Sequence, residues 1–278
     1  MANMLKNKLH LFLSILLVCM VFSAFSAVSY AQDFDYTEYY NLINKYVYLD
    51  KNIKSFTLNI LDYDNLFQEH KNPSSGYSKL MKQLSGFDPD SIAKREDRIA
   101  FWINAYNIGA IKMILDHYPV DSIRSRNINW LKNPWNIEIL TIGGKEYALG
   151  QIEHDILLGQ YGELMAHYAI VCASLSCPEI IKEVYLGDTL NEQLARQARE
   201  FLSDPKKGLQ IDRENNIVHV SSIYKFDSKN FKKSKEIIID FILPYVEDEQ
   251  DRDYLKNSDY KLKFLDYNWE LNTFKNAQ

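Results

Sequence analysis

The sequence predicts an α+β protein, with helices packed on a small, mostly antiparallel sheet. Apolar residues recur at helical spacing through one long central stretch, and short strand-like runs are joined by turn residues. Helical and strand segments also fail to alternate as βαβ units. The composition suits such a fold. A hydrophobic share of 46% and a charged share of 25% exclude wholesale disorder, and Gly 10 with Pro 7 exclude a fibrous chain. The net charge is -5 and no basic block stands out, so nucleic acid is not an expected partner.

The elements follow in order. Lys6 and Lys8 precede a nearly apolar run from Leu11 to Val28, and Ser29-Tyr30-Ala31 places small residues before Gln32. This is the layout of a cleaved secretory signal over residues 1–31, which predicts an extracytoplasmic protein, periplasmic or secreted, with no membrane span after cleavage. Cys19 lacks the small residue at Val18 that a lipoprotein signal wants. Residues 32–90 read as an N-terminal helical extension, because Tyr36, Tyr39, Tyr40 and Ile43 recur at helical spacing. A core domain over residues 91–246 and a C-terminal segment over 247–278 packing on it complete the expected organisation. The clearest helix runs from about Ile92 to His117, with an apolar stripe through Ile99, Trp102, Ile103, Tyr106, Ala110 and Ile114; Pro119 ends it. Leu140 to Tyr147 reads as a hairpin turning at Gly143-Gly144, and a short helix is expected near Ile152 to Leu158. Tyr168 to Cys172 is almost wholly apolar and fits a strand buried on both faces. Thr189 to Leu202 reads as a helix with a Thr189/Glu192 capping box. Leu209–Ile211 and Ile217–Val220 read as paired strands, and Glu236 to Val246 as a last helix interrupted by Pro244. Asp248, Glu249, Asp251 and Asp253 read as a solvated acidic surface.

Four segments occur in an order that resembles one family. They are Phe101-Trp102-Ile103-Asn104-Ala105-Tyr106-Asn107, Ile152-Glu153-His154, the run from His167 through Cys172 to Pro178, and Ser221-Ser222-Ile223-Tyr224-Lys225-Phe226. Together they resemble the domain of unknown function 547 family over roughly residues 95–232. A long helix followed by a strand opening with histidine also resembles the core of papain- and transglutaminase-like thiol enzymes. That resemblance implies a thiol-dependent hydrolase or acyl-transferase acting on peptide or amide bonds in the cell envelope. The alternative is a non-catalytic peptide- or glycan-binding or scaffold module on the same fold.

Cys172 and Cys177 are the candidate nucleophiles, and a thiol needs a neighbouring base to act as thiolate. His154 and His167 are the candidate bases, with Glu153 to orient a histidine or act as a base, and Asn104 in the orienting role of an amide. In papain-like enzymes the cysteine opens the long helix; here that helix carries no cysteine, and histidine precedes cysteine. Three other readings stay open: a Cys172–Cys177 disulfide, which needs a turn at Ser174–Ser176; two plain buried thiols; or a zinc site of His167, Cys172 and Cys177 with His154 or Glu153. Asn104 and Asn107, three apart in a helix, either bond a neighbouring loop or line a site. No Gly-rich phosphate loop and no H-E-x-x-H motif occurs, and no cofactor is expected.

Overall fold

A computed structural model describes residues 33–131 and 133–276. The signal-peptide reading falls on residues 1–31, outside the described residues. Residues from Asp33 onward form one compact unit. It is α+β. The chain runs α1 (Thr37–Tyr46), β1 (Val47–Ile53), β2 (Phe56–Leu61), α2 (Tyr63–His70), α3 (Gly76–Gly86), then α4 (Arg95–Asp116). After it come β3 (Glu138–Ile142), β4 (Lys145–Ala148), a π-helical segment (Gln151–Gln160) and α5 (Leu190–Ser203). β5 (Leu209–Asp212), β6 (Ile217–Val220), α6 (Ile223–Phe226), α7 (Ser228–Phe231), α8 (Lys235–Ile242), α9 (Glu249–Asn257) and β7 (Lys261–Phe264) follow. β1–β2 and β3–β4 are antiparallel hairpins. The third sheet has the order β5-β6-β7, with β5 antiparallel and β7 parallel to β6.

Helix α4 is the axis of the molecule. Residues from Ile99 to Leu115 are buried almost without interruption, so the helix is enclosed on nearly every side rather than along one stripe. Enclosure of Ile103, Ile114 and their neighbours supplies much of the hydrophobic driving force, at about 25 cal/mol per Å² of apolar surface. It also forces the buried amides of Asn104 and Asn107 to find partners, since an unpaired buried polar group is costly.

Three local expectations change. The N-terminal region is not all helix, because β1 and β2 interrupt it. Leu58 and Ile60 alternate inward while Thr57 faces solvent, but the turn lacks glycine, and Lys54 takes a φ of 54° instead. The run Tyr168 to Cys172 is buried but is not a strand. Its first residue ends a 3₁₀ turn (Leu164–Tyr168), and the next backbone groups bond the Asn107 side chain in place of a neighbouring strand. Thr189 precedes α5 but makes no cap. Its hydroxyl reaches the Gln193 side chain at 3.2 Å, so the capping box with Glu192 does not form. The acidic stretch becomes α9, capped by Asp248 on the Asp251 amide.

Candidate active site

The site is built on α4. Asn107 donates to the Ala169 carbonyl at 3.0 Å and accepts from the Val171 amide at 2.9 Å, clamping the loop that runs from His167 to Cys177. Two positions beyond Val171, the chain turns sharply. Ala173 has a φ of 59°, a left-handed conformation that costs a non-glycine residue about 1 kcal/mol. The Cys177 amide then donates back to the Ser174 carbonyl at 3.2 Å. This turn brings the two cysteines together.

Both thiols are free and buried, with sulfurs 2.9 Å apart, beyond disulfide bonding distance. Their environments differ. The Cys172 sulfur also lies 3.1 Å from the Ser174 hydroxyl and 3.2 Å from that of Tyr267. Burial pushes the Cys172 thiol up, but the donors from Cys177, Ser174 and Tyr267 outweigh it and hold the thiol below its ordinary range. Burial, together with the neighbouring Cys172 sulfur, pushes Cys177 well up. Cys172 is therefore the more acidic thiol, and Cys177 keeps its proton.

His167 lies on the same loop. Its Nε2 is 2.9 Å from Asp227 Oδ2, and both side chains are about 5% exposed or less. Burial pushes the Asp227 carboxyl up, but bonds from His167 and Asn230 prevail and hold it at about 2. An ionised carboxylate only accepts, so Nε2 carries a proton towards Asp227, which leaves Nδ1 as the ring nitrogen facing away from it. This is the polarity that a base–orienter pair requires.

His167, Cys172, Cys177, Asp227 and Tyr267 line a cavity of about 950 Å³, as do Glu153 and His154. The π-helical segment carries both. Such segments are rare and frequent at functional sites. Tyr106 donates to Glu153 at 3.3 Å while accepting from Trp135 Nε1 at 3.0 Å. One wall is aromatic: Trp269 packs on Tyr267, Phe226 and Trp135 with ring centroids 4.3, 5.6 and 5.6 Å away. Asn104 is not part of this site. Both ends of its amide are held by the Tyr185 backbone, at 2.8 and 3.1 Å.

Residues 90–202 match the model of the family described as "Protein of unknown function, DUF547". Over this segment the chain is similar to that family. No curated protein and no solved structure matches the chain. The matched segment holds Asn107, Glu153, His154, His167, Cys172 and Cys177, so three of the four motifs fall inside it and the Ser221–Phe226 motif falls beyond. Asp227 and Tyr267 also lie beyond it. Sequence reasoning missed both. Asp227 directly follows the Ser221–Phe226 motif, which was the available signal; Tyr267 lies in the aromatic tail Tyr267-Asn268-Trp269, which gave none. Among the described residues no group of three or more His, Cys, Asp and Glu side chains is arranged to hold a metal ion. None of their helices is long and apolar enough to cross a membrane.

Proposed function

We propose that this protein is a thiol-dependent hydrolase or acyl-transferase acting outside the cytoplasm on peptide or amide bonds of the cell envelope. Cys172 is the nucleophile, His167 the base and Asp227 the group that orients His167. The observation that carries this reading is the buried His167–Asp227 pair on the wall of the same cavity as the more acidic thiol. The roles differ from the sequence expectation: Asp227 replaces Glu153 and Asn104 as orienter. The Cys172 proton passes to His167 Nδ1, and Asp227 stabilises the resulting imidazolium. The thiolate adds to the acyl carbon. Collapse of the adduct releases the amine, which takes the proton from His167 and leaves an acyl-enzyme. Water or a second amine then attacks with His167 again as base.

The aromatic wall favours a second reading, a groove that binds a peptide or glycan by stacking. The two separate experimentally. The reduced chain is mixed with p-nitrophenyl acetate and its adducts are mapped by mass. An acetyl group on Cys172, absent in Cys172→Ser, kept in Cys177→Ser and formed at least ~100-fold more slowly in His167→Gln, is the expected result. No adduct on Cys172 would overturn the catalytic reading. Peptide or glycan binding retained in a Cys172→Ser, Cys177→Ser double variant would then leave the groove.

A further inference from the structure

Between α4 and β3 the chain makes a long irregular loop. Its tip presents Trp130 and Leu131, which are 75% and 81% exposed and exceed every other large hydrophobic side chain among the described residues. Exposing two adjacent side chains of this size to water is unfavourable, and such a patch marks an interaction site. The tip is built to hold them out. Ile123 and Ile128 are buried and anchor the loop's base. The Ile128 and Asn129 amides both donate to the Ser125 carbonyl, at 3.0 and 3.1 Å. The Asn129 side-chain oxygen accepts from the Leu131 amide at 2.9 Å and the Asn133 amide at 3.3 Å. The charge pattern is equally one-sided. Arg124, Arg126 and Lys132 lie in residues 122–137, a stretch with no carboxylate, in a chain whose net charge is -5. The Arg126 guanidinium sits over the Trp130 ring at 5.1 Å, so cation and aromatic ring are presented together. Of the cavity carboxylates, Glu153 and Asp155 come from the π-helical segment and Asp227 follows α6, so none comes from this loop.

We propose that this loop is a peripheral membrane anchor whose partner is the anionic surface of a bilayer. Trp130 and Leu131 enter the headgroup region, where an amphipathic indole is favoured, and the Arg126 guanidinium beside Trp130 meets anionic headgroups. A protein groove would not need basic flanks on an apolar tip, whereas an anionic interface matches both. Leu131 and the half-exposed Phe226 also line the cavity, so a membrane docked on the tip lies beside its opening. This inference is independent of the chemistry of Cys172.

Tryptophan quenching by brominated lipid tests it in the full chain. The four tryptophans are Trp102, Trp130, Trp135 and Trp269, so the apolar segment 11–28 contributes no signal of its own. Vesicles of phosphatidylcholine with phosphatidylglycerol, both brominated, are expected to quench part of the emission, and this part disappears in Trp130→Phe. Arg126→Glu is expected to weaken the lipid dependence of quenching by about tenfold or more at low salt, and the effect shrinks as salt rises. No quenching by the anionic vesicles would overturn the proposal, as would equal quenching in wild type and Trp130→Phe. A dimer in solution that becomes monomeric in a Trp130→Ser, Leu131→Ser variant, with no vesicle quenching, would assign the tip to self-association instead.

Discussion

Asp227 is where pH enters the energetics. Its carboxyl titrates at about 2 in the folded chain against an ordinary value of 3.8. The unfolded chain therefore takes up that proton first as pH falls. The stabilisation is complete above about pH 4 and is lost as pH falls through about 2, and its size is on the order of 2 kcal/mol. Urea unfolding at pH 5 and pH 2.5 checks this. The stability gap between wild type and Asp227→Asn is expected to narrow by about that amount at the lower pH. Parallel curves would show that Asp227 is not held by His167. The same substitution leaves Nε2 facing an amide that can present either a donor or an acceptor, so it removes the tautomer control that an ionised carboxylate enforces.

Two elements, α4 and the loop it clamps, form a unit. Asn107→Ala would orphan the Ala169 carbonyl and the Val171 amide, both buried in place beside the thiols. The expected cost is about 3 kcal/mol, with loss of the difference in alkylation rate between Cys172 and Cys177. Differential labelling with iodoacetamide reads the second effect. A second close approach sits where α5 hands over to β5. A Cβ on Gly208 would clash with the Phe201 carbonyl oxygen, a backbone atom that cannot move cheaply. Gly208→Ala is expected to destabilise by about 3 kcal/mol in denaturant unfolding. A neutral result would show that α5 is free to shift. Elements with a strong period were legible in the sequence: α4, β3–β4, α5 and β5–β6 all occur near their expected positions. The hairpin β1–β2 was not, because its turn uses Lys54 at positive φ rather than a glycine. The run Tyr168–Cys172 was misread as a strand, because burial alone makes a segment apolar and its hydrogen-bond partner was one side chain on α4.

At the scale of the whole molecule, the C-terminal residues stitch separate parts together. β7 pairs with β6. Beyond it, the Asn272 carbonyl accepts from Leu61 of β2 at 3.2 Å and the Asn272 amide donates to Ala173 in the cysteine loop at 3.0 Å. The Leu271 amide donates to Asp121 at the base of the Trp130 loop at 2.9 Å. Buried Lys207 pairs with Glu179, which also accepts from the Asn59 amide at 2.6 Å, so the N-terminal hairpin is held on the same side. Truncation after Phe264 would remove Tyr267 together with the Leu271 and Asn272 bonds. The expected outcome is loss of near-ultraviolet circular dichroism around the aromatic wall and a Cys172 that alkylates as slowly as an ordinary buried thiol. Unchanged alkylation would show that Ser174 and Cys177 alone hold the thiol acidic.

The sequence by itself determined the α+β class, the long central helix, the DUF547 segment and the gathering of His167, Cys172 and Cys177 on one stretch of chain. Periodicity and local motifs are written in neighbouring residues, so a single chain displays them. Only the tertiary structure decided the partners. It placed the Asp227 carboxylate against His167 from 60 residues away and the Tyr267 hydroxyl against Cys172 from 95 residues away, and it held Asn104 on the Tyr185 backbone. Those pairings are fixed by how α4, the loop and the C-terminal segment pack. Packing is a through-space property that no local pattern of residue types encodes.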